Sequence, residues 1–126
     1  MRADKEQQRM IRILYFSTAR ANLTRADVDA IASHASEANL KRGITGSLAY
    51  NGRNFCQCLE GEEGQIRALI ETIRKDDRHS GFKVLDEKTV QSRYFKDWGL
   101  RLVDDLDFSY VINAMSADSR DREPVS

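Results

Sequence analysis

Three polar side chains fall at positions whose spacing places them among apolar residues on an inward face: the phenol of Tyr15 in IRILYFS, the carboxamide of Asn39 opening NLKRGITG and the carboxamide of Gln57 in FCQCLEG. A buried amide whose groups find no partner costs roughly 1–3 kcal/mol, and a buried phenol hydroxyl needs a partner as well. An amide turned toward an apolar face is what a ligand-binding sheet would display. Each residue also has a plainer reading. Tyr15 can be packing, Asn39 a helix stop reinforced by Gly43, and Gln57 can be satisfied by a neighbouring side chain or backbone group. A fourth polar group, Asp76, Arg78 and His79 in KDDRHSG, is either solvated surface or a holder for the polar tail of a ligand. Cys56 and Cys58 flank Gln57 and point to the opposite face. No further Cys or matched His pair completes a four-ligand metal set, so they read as small buried thiols.

Positioning these groups requires a sheet and two helices. Asn51-Gly52 between two apolar runs signals a hairpin with a two-residue type I′ turn. That turn pairs Tyr50 with Arg53, Leu48 with Phe55, Gly46 with Gln57 and Ile44 with Leu59, and leaves an open space at Gly46 opposite Gln57. Ile11 to Ser17 reads as a strand apolar on both faces, hence interior to its sheet, with Ile11, Ile13, Tyr15 and Ser17 on one side. Thr24 with Asp27 makes a capping box, and Val28, Ile31, Ala32, Ala35 and Asn39 follow on one helical face. A second helix runs from about Glu62 to Asp76, with Ile66, Leu69, Ile70 and Ile73 as its buried stripe. Phe82 to Val90 and Trp98 to Val103 read as strands, and Tyr110 to Met115 as a short helix. The order β-α-β-β-α-β-β, with right-handed crossovers, predicts a ferredoxin-like α+β fold. Its five-stranded mixed sheet carries both main helices on one face, with a slot between them that Tyr15, Asn39 and Gln57 can all face.

Length and charge narrow the function further. The 126 residues suffice for one core, and twenty basic residues balance twenty acidic ones, so no long-range field favours nucleic acid or a membrane surface. No apolar run approaches the roughly 20 residues of a membrane span. Two cysteines and a polar start, MRADKEQQRM, point to the cytoplasm. The expected layout is a polar segment over 1–9, one domain over 10–104, a short helix over 105–115 and a disordered tail over 116–126.

The strand RILYFS, the segments NLKRGITGSLAY and IRKDDRHS, the strand FCQCLEG and the late FKDWGLRL together resemble the BLUF family of flavin-binding blue-light sensors, in one register over about residues 10–103. The resemblance implies that Tyr15 gives an electron and a proton to the photoexcited flavin. It implies that Gln57 then changes orientation or tautomer, and with it the hydrogen bonds to flavin N5 and the C4 carbonyl. Asn39 would hold the C4 carbonyl and N3 edge, Ile31 and Ile73 would sandwich the ring, and Asp76, Arg78 and His79 would contact the flavin or its ribityl-phosphate portion. Trp98 matches the tryptophan of the last strand, proposed to move when the signal leaves. Two residues on, the family commonly has methionine; this chain has Leu100, which packs but lacks the thioether's flexibility and weak acceptor. The family favours FAD, with FMN or riboflavin as alternatives.

Two rivals follow from the fold class. A ferredoxin-like small-molecule enzyme without photoactivity, such as an acylphosphatase, would need a phosphate-cradling loop, and STARAN offers only Arg20 and Asn22. An RNA-binding module would need a basic-aromatic strand pattern that the chain lacks. As a sensor without an evident catalytic effector, the chain is expected to pass its signal to a downstream protein partner or effector domain. Leu14, Phe16, Cys56 and Cys58 on the back of the sheet need cover from the Tyr110-to-Met115 segment or from a second subunit, which leads to the expectation of a dimer.

Overall fold

Alternation along Met10–Ala19 (β1) sends Ile11, Ile13 and Tyr15 to one face and Arg12, Leu14 and Phe16 to the other. The computed structural model of the protein describes residues 9–95, 99–103 and 108–117. Strand β1 lies inside a five-stranded sheet, as its apolar composition requires. Thr45–Tyr50 (β2), Asn54–Glu62 (β3), His79–Thr89 (β4) and Arg101–Val103 (β5) complete the order β4-β1-β3-β2-β5. All pairs are antiparallel except β2 with β5. Arg12 departs most from the reading of β1 as apolar on both faces: its charged side chain is fully buried on the back.

Helices Arg25–Lys41 (α1) and Glu63–Arg74 (α2) pack on the front face, where Val28, Ala32, Ile66 and Leu69 join Ile11, Ile13, Leu48 and Leu59 in one core. Thr24 caps α1 through the reciprocal bonds its spacing predicts, accepting from Asp27 N at 3.1 Å while Asp27 Oδ2 accepts from Thr24 N at 2.9 Å. Each such cap contributes about 1 kcal/mol. Helix α2 ends at Arg74, so Asp76 lies in the turn beyond it.

The hairpin is where expected, but its register differs. Tyr50 pairs with Phe55, Leu48 with Gln57 and Gly46 with Leu59, two residues away from the two-residue turn. The cause is Asn51, whose Oδ1 accepts from Arg53 N at 3.0 Å and Asn54 N at 2.8 Å. Those bonds draw four residues into the loop, and only Gly52 takes a positive φ, whereas a type I′ turn needs two. A two-residue slip preserves the faces, so Gln57 still points forward. The space expected at Gly46 is not there. A Cβ at that position would lie 2.5 Å from the Cys58 carbonyl oxygen and 2.9 Å from Leu59 Cδ2.

Helix Ser109–Ser116 (α3) covers the back of the sheet. Val111, Ala114 and Met115 pack there with Leu14, Ala49, Cys56, Cys58 and Phe95. The Tyr110-to-Met115 segment thus supplies cover for this face from within the chain. Both cysteines are free and buried, and burial pushes the Cys58 thiol far up. Among the described residues no helix is long and apolar enough to cross a membrane.

Candidate functional site

Helices α1 and α2 leave a cavity of about 330 Å³ above the middle of the sheet, the lower end of the size range of small-molecule sites. Tyr15 and Gln57 are cross-strand partners at its floor, buried to within 5 % and 4 % of full cover. The Tyr15 hydroxyl donates to Gln57 Oε1. A phenol O–H bound to a carbonyl fixes which way the amide faces, with its NH₂ turned away from Tyr15. Burial, with smaller contributions from Cys56 and Asp76, pushes the Tyr15 phenol upward, so it is held as the neutral phenol. The Phe82 ring lies 4.8 Å from that of Tyr15, centroid to centroid.

Ile31 and Ile73 stand on α1 and α2 as half-buried walls, and Leu48, Phe55, Leu69 and Leu100 complete the apolar lining. Asn39 reaches the cavity from the last turn of α1. Its Nδ2 donates to the Gly99 carbonyl at 2.9 Å, and Ser36 Oγ accepts from Leu100 N at 3.1 Å. The contact is close enough that a Cβ on Gly99 would meet the Ser36 carbonyl oxygen at 1.9 Å. So α1 grips the segment entering β5, a connection that neither stripe periodicity nor motif spacing indicates. Nor does periodicity mark His34, Ala38 and Thr72, which also line the cavity. Leu100 is buried at the cavity wall. The observed β5 is shorter than the expected strand from Trp98, and Trp98 itself lies outside the described residues.

At the mouth, Asp76 accepts from Arg78 through both the backbone N, at 2.9 Å, and the guanidinium. These bonds to Arg78 hold the Asp76 carboxyl down at about 2. Its folded value is depressed, so the pair's contribution to stability is complete above about pH 4, where the unfolded carboxylate is ionised, and is lost as pH falls through the folded value. Asp76→Asn should therefore flatten the acid limb of stability, read from urea unfolding at a series of pH values. An unchanged limb would mean that the pair contributes nothing to folding. His79 has both ring nitrogens engaged, Nδ1 with Ser17 Oγ and Nε2 with the Ile73 carbonyl, each at 2.7 Å. The carbonyl can only accept, so Nε2 carries a proton. His79 thus ties the end of α2 to β1.

A second cavity of about 380 Å³, lined by Arg20, Leu23, Asp27, Ala30, Ile31, His34 and Arg78, adjoins the first and shares Ile31, His34 and Arg78 with it. The backbone N of Arg20 donates to the Arg78 carbonyl at 2.9 Å, which holds the two arginine-bearing loops together. The arrangement suits a flat, largely apolar ring with a polar edge near Gln57 and Asn39 and a charged tail leaving past Arg78.

A family model described as BLUF, sensors of blue-light using FAD, matches residues 10–101. The blue light- and temperature-regulated antirepressor BluF of Escherichia coli (strain K12) is 30% identical over 92 residues, 73% of this chain and 23% of the relative. The dark-state structure of BlrB, a BLUF protein, superposes with a TM-score of 0.75 at 31% identity, covering 82% of this chain and 79% of that one. Klebsiella pneumoniae BlrP1 with FMN and cyclic diGMP superposes with a TM-score of 0.71 at 35% identity, covering 75% of this chain and 25% of that one. The chain thus spans about a quarter of the length of the antirepressor.

Proposed function

The chain belongs to the BLUF family, whose members sense blue light through a bound flavin, and from that premise we propose that it is a reversible photoswitch with the flavin ring seated in the cavity over Tyr15 and Gln57. The observation that carries the reading is the buried hydrogen bond from Tyr15 to Gln57 on the floor of an apolar slot. The residues fit the group: Ile31 and Ile73 offer aliphatic surfaces for its two faces, and the Gln57 and Asn39 amides offer donors and acceptors for its polar edge. When bound, the flavin supplies light absorption and an excited state able to take an electron and a proton.

Tyr15 is the donor in this scheme, its proton already aligned on the Gln57 carbonyl. Gln57 turns or tautomerises, exchanging an NH₂ donor for a carbonyl acceptor. In a slot with so few polar groups, one exchange alters a large share of the hydrogen bonds. Asn39 holds the ring's carbonyl and N3 edge while remaining bonded to Gly99. Asp76 and Arg78 border the outgoing ribityl chain, and His79 serves as wall. FAD is the form proposed: the first cavity has room for a ring system, and the second takes the phosphates near Arg20 and Arg78. The output goes through Trp98 and Leu100 to a downstream partner or effector, with no catalytic step in this domain. A cytoplasmic setting accords with two free thiols. A dimer is proposed only through the outer side of α3, where Ile112 is exposed.

Absorption spectra of the purified protein before and after blue light, followed in the dark, test the reading. A flavin spectrum that shifts to the red and recovers is expected. Flavin bound without a reversible shift would remove the switch and keep the binding site. A protein that takes up no flavin, even on reconstitution with FAD, would overturn the proposal.

A further inference from the structure

Two buried cross-strand pairs share the β1–β3 ladder. Tyr15 pairs with Gln57 on the cavity side; three residues along, Arg12 pairs with Glu60 on the back, about 10 Å away at strand rise. Arg12 Nε donates to Glu60 Oε2 at 3.1 Å, and both side chains are fully buried. Each then reaches a different element. Arg12 Nη1 donates to the carbonyls of Ala114, at 3.3 Å, and Ala117, at 3.0 Å, at the end of α3. Glu60 accepts from Phe95 N at 2.7 Å and Tyr94 N at 3.1 Å, in the segment that leads toward Gly99 and the cavity wall. Arg93 clamps the same segment to the Gly43 and Glu60 carbonyls.

A buried ion pair is rarely the cheapest way to fill a core, and apolar residues of similar volume often do as well or better. What charge adds here is direction. The strand bearing Tyr15 holds α3, and the strand bearing Gln57 holds the segment before β5. The Nη2 of Arg12 is buried and has no hydrogen-bond partner among the described residues, so the guanidinium keeps one spare donor that a shift of the strands would bring to a new acceptor. We propose that Arg12 and Glu60 are positioning residues that carry the change at Tyr15 and Gln57 through the sheet, making the end of α3 a second surface, besides the Trp98 and Leu100 side, where the signal leaves. The proposal rests on the photoswitch reading and adds a route through the back of the sheet.

The test uses the full chain with flavin bound and two readouts, the red shift in absorption and light-minus-dark amide exchange in α3 and residues 93–95. In the wild type, α3 exchange should change by about 5-fold or more on illumination, the lower end of common coupling between sites. Glu60→Gln should keep the red shift and lose that difference. If it does not fold, the apolar pair Arg12→Met with Glu60→Leu, which removes both charges together, decides. An α3 indifferent to light while the wild type shifts to the red would overturn the relay and leave the photoswitch standing, as would variants that keep both signals. A wild type without a red shift would overturn both.

Discussion

Gln57→Leu should leave flavin bound and abolish the light-induced red shift. Leucine matches the apolar lining contributed by Leu48, Leu69 and Leu100, so the slot keeps its shape and its hold on a ring. What disappears is the one group that accepts from Tyr15 and can exchange a donor for an acceptor. The Tyr15 hydroxyl would then be buried without that partner, at a cost of roughly 1–3 kcal/mol, which urea unfolding would register. Spectra of the reconstituted variant decide the point: a normal, reversible red shift would remove Gln57 from the centre of the mechanism.

Glu60→Ala should lower stability more than any surface ion-pair deletion, by about 3–5 kcal/mol, because it leaves the Arg12 guanidinium buried and uncompensated. The amides of Tyr94 and Phe95 and the Thr45 hydroxyl lose their acceptor in the same step. Such a loss is a large part of the ~5–15 kcal/mol that holds a domain together, and should bring the melting temperature down by roughly 10–20 °C. Arg67→Ala provides the contrast. It breaks pairs to Glu63 and Glu87 at 2.9 and 2.6 Å, but Arg67 is about half exposed, so the expected cost is ~1 kcal/mol or less. Equal losses in the two variants would mean that the buried network carries no special share of folding free energy.

Much of this architecture is legible in the residues. The Thr24–Asp27 box, the apolar stripes of both front helices and the alternation around Tyr15 and Gln57 each rest on local rules, and local rules survive folding. The hairpin register does not follow from Asn51-Gly52 alone, because the Asn51 side chain competes with the backbone for the turn's amides. Arg12 and Glu60 are harder still. Each sits in a run that reads as strand, and nothing in either run says that its charge is buried beside the other, forty-eight residues away. The grip of Ser36 and Asn39 on Gly99 and Leu100 is likewise tertiary, visible only once α1 and β5 are neighbours.

The sheet ends at β4, eleven residues long and, among the described residues, paired only with β1. An edge of that length is a template on which other chains can assemble into larger sheets. Here the strand defends itself. Its register against β1 breaks at Leu14/Tyr15 and again at Phe16/Thr18, irregularities that twist an edge away from flatness. Lys83, Asp86, Glu87 and Lys88 set charge along it on either side of the exposed Val84 and Leu85. Resistance to amyloid-like stacking is thus built into the strand that lies farthest from β5.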